Sequence, residues 1–123
     1  MDFGAAAASH IRAAYQGYAK ATGNYTVSGA APVHWDTFDE GRIHVTSRTI
    51  TFTTNPTNFS TCFASSVVFP SIYCASNTFT NSAYVTGKRY NADEEGRIMT
   101  WGGGANYLPG NSAGTIANGG VYR

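Results

Sequence analysis

The stretch GAAAASHIRAAYQGYAKAT, residues 4–22, decides how the fold is read. Within it Ala7, Ile11, Ala14, Tyr18 and Ala21 recur at spacings of four and three, with Tyr15 beside them. Ser9, Arg12, Gln16 and Lys20 form a polar stripe of the same period, so the segment predicts an amphipathic helix with one packed and one wet face. Asp2 is placed to cap it, Lys20 complements its dipole, and Gly23 supplies a left-handed stop.

Beyond Gly23 the apolar period shortens to two, the period of a half-buried strand. In RIHVTSRTITFTT (42–54) the apolar phase is odd at Ile43 and Val45 and even at Ile50 and Phe52, which requires a bulge or tight turn near Ser47. FASSVVF (63–69) puts Phe63, Val67 and Phe69 on one face before Pro70 ends the run. Two last strands near 83–90 and 97–101 flank the turn NADEEG, and 102–123 carries seven glycines and reads as irregular chain. The expected fold is α+β: a helix over 4–22 packed on an antiparallel sheet over 25–101, then a Gly-rich C-terminal segment, in one domain of residues 1–123.

Charged residues are only 12% of the chain and the net charge is +1, so no strong field draws it to nucleic acid or an anionic membrane. No segment has the roughly eighteen apolar residues of a membrane span, and the chain as given is expected to be soluble. Cys62 and Cys74 are separated by eleven residues, with no zinc-like spacing around them. A hairpin centred near Phe69 and Pro70 would bring them opposite each other, so a disulfide is expected, with two buried free thiols as the alternative.

DEGRIHV at 39–45 returns as DEEGRIMT at 93–100. With Asp36 the two copies hold six of the seven acidic residues: Asp36, Asp39, Glu40, Asp93, Glu94 and Glu95. Paired carboxylates act as acid and base only in a cleft that separates their pKa values. Here each cluster ends in Gly and runs at once into Arg-Ile and a β-rich segment, which reads as a turn whose positive-φ Gly41 or Gly96 delivers a strand. The likeness extends over about eight positions, with no third copy apparent, and this argues for local convergence rather than a repeat architecture. His10, His34 and His44 have no spacing that suggests a metal, and no nucleophile elbow accompanies the His-Trp-Asp run at 34–36. No catalytic residue, metal or cofactor is therefore assigned. Lys88 and Arg89, with Arg97 nearby, make the densest basic patch and a candidate contact for DNA or a partner.

The segment AAAASHIRAAYQGYAKATGNY resembles the second half of the long N-terminal helix of type IV pilins and pseudopilins, where a small-residue helix runs into a Tyr-containing stop before an antiparallel sheet. The resemblance implies a non-catalytic filament subunit of an extracellular or periplasm-exposed assembly used in adhesion, motility, DNA uptake or secretion. It implies packing roles for Ala7, Ile11, Ala14, Tyr15 and Tyr18 and makes other pilin subunits, with DNA or a host surface, the expected partners. Such subunits also have a hydrophobic half-helix as a membrane anchor; the start MDFG lacks it, which implies a truncated fragment. A second reading is the receptor-binding tip of a phage tail fibre or a similar β-rich adhesin, suggested by TITFTTNPTNFSTCFASSVVFP at 49–70.

Overall fold

The computed structural model describes residues 1–123 and contains fifteen strands, with one 3-10 turn at Ser82–Tyr84 as its sole helical element. In chain order they are β1 (Asp2–Phe3), β2 (Ser9–Ala14) and β3 (Tyr18–Lys20), then β4 (Tyr25–Val27), β5 (Ala31–Phe38) and β6 (Arg42–His44). They continue with β7 (Thr49–Phe52), β8 (Thr57–Val67) and β9 (Ser71–Tyr73), then β10 (Thr78–Thr80), β11 (Val85–Gly87), β12 (Tyr90–Asp93) and β13 (Arg97–Met99). β14 (Thr115–Ile116) and β15 (Val121–Tyr122) end the chain.

Every strand pair is parallel, and three sheets form: β1-β4-β7-β10, β2-β5-β8-β12-β14 with β11 also on β8, and β3-β6-β9-β13-β15. The chain visits the three sheets in turn and comes back one rung further on, so the molecule is a parallel β-solenoid of about 5 turns. Sheet spacing sets the rise of each rung at about 4.8 Å.

The predicted helix is the first rung. Residues 9–14 and 18–20 are strands of two different sheets, and Tyr15 and Gln16, both with positive φ, turn the corner between them. Alanine favours helix in isolation, but by well under 1 kcal/mol per residue, and pairing with the next rung outweighs it. Ile11 pairs with Trp35, Ala14 with Phe38 and Tyr18 with Arg42, so the supposed helix stripe of Ala7, Ile11, Ala14, Tyr15 and Tyr18 is spread over two faces and a corner. A helix-first, antiparallel pilin plan is thus overturned by an all-β parallel one. The Gly-rich 102–123 segment is not merely irregular: it carries β14 and β15 of the last rung and buries Leu108 completely.

The acidic repeat marks the solenoid itself. Along the corner between the second and third sheets, Tyr15-Gln16-Gly17, Asp39-Glu40-Gly41, Val68-Phe69-Pro70, Glu94-Glu95-Gly96 and Asn118-Gly119-Gly120 lie on successive rungs. The first two residues of each triplet have positive φ, while Gly41 and Gly96 do not, which reverses the expected roles within the turn. Glycine is needed at 41 and 96 for space: a Cβ on Gly41 would fall on the carbonyl oxygen of Ala13, and one on Gly96 on that of Ser66. Left-handed backbone at non-Gly residues costs about 1–2 kcal/mol each. Rung-to-rung bonds such as Glu40 N–H to Val68 O (3.1 Å) and Glu95 N–H to Asn118 O (3.0 Å) offset part of that cost.

Repeat length varies, which hides the period: Tyr18, Arg42, Ser71, Arg97 and Val121 occupy equivalent places at intervals of 24, 29, 26 and 24 residues. The turn expected near Ser47 is present, with Ser47 at φ 55 between β6 and β7. The 63–74 hairpin is not: after Val68 and Phe69 the chain passes from the second sheet to the third, so Cys62 and Cys74 sit in different walls. Both are buried free thiols, and the expected disulfide is absent. Burial pushes each thiol up to about 12, which keeps both protonated and unreactive at neutral pH.

Inside, Ile43, Ile72 and Ile98 form a fully buried column continuing from half-buried Ala19, each isoleucine contributing about 1.5–3 kcal/mol by burial. Trp35, Phe52, Phe59 and Phe63 fill the opposite side. Gly96→Ala should lower unfolding stability by about 2–3 kcal/mol, because main chain cannot yield to the new methyl group. Gly23→Ala, with open space around it and no positive φ, should be neutral or stabilising by up to about 1 kcal/mol. Equal losses in urea titrations of the two variants would refute the corner-contact explanation.

Candidate binding face

The third sheet presents a flat outer surface made by rule. Its strands are short, and the middle residues Ala19, Ile43, Ile72 and Ile98 turn inward, so the residues flanking them turn outward. One outer column is Tyr18, Arg42, Ser71, Arg97 and Val121; the other is Lys20, His44, Tyr73 and Met99. Tyr18 Oη lies 3.3 Å from His44 Nδ1, and the His44 and Tyr73 rings meet edge-to-face at 5.5 Å. Tyr18, Arg42, His44 and Tyr73 line a shallow depression of about 370 Å³.

Charge on this face is one-sided. Lys20, Arg42 and Arg97 are exposed on it, and its strands contain no carboxylate. The chain's one ion pair, Arg12 Nε to Asp36 Oδ2 at 3.7 Å, is on the second sheet, so Arg42 and Arg97 have no paired acid. Two rungs separate those guanidiniums, a spacing of about 10 Å. The arrangement can hold anions on its cations and flat apolar faces on its tyrosines.

The candidate residues named from sequence are dispersed. Lys88 and Arg89 lie beside β12 on the second sheet while Arg97 is on the third, so the three do not make one basic patch. Lys88 Nζ donates to Thr115 Oγ1 at 3.2 Å and Arg89 Nη1 to Ser112 O at 3.3 Å. Asp39, Glu40, Glu94 and Glu95 stay on the corner as turns, whereas half-buried Asp36 has its carboxyl pushed up by burial, with Arg12 acting the other way. Missed altogether were Lys20, Arg42 and Tyr73. Their signal was the triplets YAK, RIH, SIY and RIM, each a single apolar residue between outward-facing ones.

His34 does not pair with Asp36. Instead Trp35 Nε1–H donates to Tyr25 Oη (3.0 Å), Tyr25 O–H donates to His34 Nε2 (2.9 Å), His34 Nδ1–H donates to His10 Nδ1 (2.8 Å), and His10 Nε2–H donates to Gly4 O (2.8 Å). The tautomers follow from the network: this direction leaves no donor unpaired and requires both histidines neutral. A proton added to His10 sets its Nδ1–H against the Nδ1–H of His34, and one added to His34 sets its Nε2–H against the Tyr25 O–H. Burial holds His34 well below the ordinary 6.5, and burial likewise lowers half-buried His10 despite the Gly4 carbonyl.

No protein-family model, curated protein or solved structure matches the chain.

Because both folded pKa values lie below the unfolded 6.5, the unfolded chain binds protons that the fold refuses. Their stabilising contribution is complete above pH 6.5 and falls as pH drops below it, by at most about 1.4 kcal/mol per pH unit for each histidine and less for half-buried His10. Urea unfolding between about pH 7.5 and about pH 5.5 should show this loss, and His34→Gln should flatten it. A slope unchanged in that variant would place the acid sensitivity elsewhere.

Proposed function

We propose that the chain is a receptor-binding module of the tail-fibre-tip or β-rich adhesin kind, acting by binding rather than catalysis at a cell exterior. The observation that carries this reading is the third sheet's outer face, a rigid ladder with unpaired Arg42 and Arg97, Tyr73 on the rung between them, and Tyr18 and Lys20 on the rung before Arg42. The pilin reading is abandoned because that subunit plan needs the N-terminal helix, and those residues form the first solenoid rung.

A solenoid suits a binding module because outer positions recur at fixed intervals while the core pins the backbone beneath them. The receptor this face fits best is an acidic surface polysaccharide. Carboxylates on the polymer would meet cations about 10 Å apart, and the non-polar faces of its sugars would lie on the tyrosine rings. Such contacts are made at an exposed surface, so salt screens them.

Binding of the full chain to immobilised acidic and neutral polysaccharides tests the reading. Preference for the acidic polymer is expected, weakening as salt rises, and Arg42→Ala with Arg97→Ala should reduce affinity by about tenfold or more. Since both side chains are exposed, thermal stability should stay within about 0.5 kcal/mol. Wild-type affinity in the double variant would remove this face from the function.

A further inference from the structure

Along the first-sheet side of the solenoid, the loop Asn106–Gly110 leans against the fourth rung and closes a cleft of about 430 Å³. Its lining includes Phe79, Ser82, Arg89, Asn106 and Tyr107, with Asn77 at its base. Asn77 holds the loop in place rather than facing a ligand. Its Nδ2 donates to Val45 O and Cys74 O, its Oδ1 accepts from Arg48 N–H, and its own N–H donates to Tyr107 Oη at 2.8 Å. The Phe79 and Tyr107 rings meet edge-to-face at 5.5 Å and form an apolar wall. The cleft is thus built from the core outward.

Arg89 is the unusual member. Its Nη1 reaches Ser112 O, but its Nε–H is cut off from solvent with no acceptor, alone among the buried side-chain polar atoms of the chain. No Asp or Glu lines the cleft, and no ion pair involves Arg89. A guanidinium is expensive to hold at a partly dry position without an anion, and its planar fork matches a carboxylate. Ser82 and Asn106 are exposed at the rim and can bond to hydroxyl or amide groups of a ligand.

We infer that this cleft is a binding site for one carboxylate-bearing, ring-sized ligand, with Arg89 as the anion receptor and the Phe79–Tyr107 wall as the seat for the ring. The single cation selects a monoanion over phosphate or a nucleic-acid backbone, which call for several positive groups. A free carboxylic acid and an acidic sugar share this chemistry, and the aromatic wall with polar rim favours the sugar. The site shares no residue with the third-sheet face, so it stands or falls independently of the function proposed above.

NMR titration of the full chain with glucuronate, glucose, acetate and inorganic phosphate tests the inference. Glucuronate should shift the Arg89 guanidinium Nη–H signals and the amides of residues 106–110, and glucose, lacking the carboxylate, should not. Acetate binding at the same resonances but about tenfold more weakly identifies an acidic-sugar site; equal acetate affinity identifies a general small-carboxylate site. Arg89→Gln should abolish the shifts. Should that variant unfold, Asn106→Asp places a repelling carboxylate on the exposed rim without touching the core, and it should weaken glucuronate by about tenfold or more. Phosphate binding as tight as glucuronate, no response of Arg89 to either carboxylate, or undiminished binding by Asn106→Asp overturns the proposal.

Discussion

The contact of each corner with the rung beneath it is the constraint from which the rest of the solenoid follows. Parallel strands pair only if every turn of the chain advances by one strand spacing, about 4.8 Å, and returns in register. At the corner between the second and third sheets this forces two left-handed residues followed by one that can pass over a carbonyl. Gly41 and Gly96 do so because they have no Cβ; the requirement is local to those rungs, since Pro70, which has a Cβ, holds the equivalent place on the rung between them. The ladder runs on without a break, as Ser71 N–H donates to Gly41 O and Arg97 N–H to Pro70 O, each near 3 Å.

Stacking identical rungs creates a problem that this chain solves by alternation. Like charges directly opposite one another on neighbouring strands destabilise a sheet. Val68 and Phe69 separate Asp39-Glu40 from Glu94-Glu95, so the acidic corners lie two rungs apart. The same spacing holds Arg42 and Arg97 apart across Ser71. Interior columns can repeat freely because apolar side chains gain from being stacked: Ile43, Ile72 and Ile98 are all fully buried. Tyr90 of the fourth rung and Tyr122 of the fifth stack at 3.8 Å, and Leu108 from the 106–110 loop is fully buried against the fourth rung.

The two candidate sites follow from this economy. A rigid stack leaves side chains on the outside free to vary, and cations without carboxylate partners accumulate on two separate faces. Arg42 and Arg97 are presented on a flat sheet and suit an extended polymer, whereas Arg89 is sunk beside a loop and suits a single ring. The His10–His34–Tyr25–Trp35 chain serves neither site; it satisfies polar atoms inside the first two rungs.

Local chemistry was legible in the residues themselves. The alternation at Ile43, Val45, Ile50 and Phe52, the turn at Ser47 and the turn character of the two acidic clusters all depend on neighbours in the chain, and the structure has them where the pattern places them. The second reading of 49–70 as a β-rich binding tip also agrees with the fold better than the filament reading does. Which residue pairs with which was decided only in three dimensions. Ala13 and Ala14 favour a helix when considered alone, and they become a strand because Thr37 and Phe38 lie opposite them. The corner YQG is the third relative of DEG and EEG, but it shares only the glycine, since backbone conformation and space, not side-chain identity, define that position. Repeat intervals from 24 to 29 residues blur the period further. A sequence states its turns and apolar phases; parallel pairing between residues more than twenty apart is a property of the packed stack, because only there does one rung supply the hydrogen-bonding partners of the next.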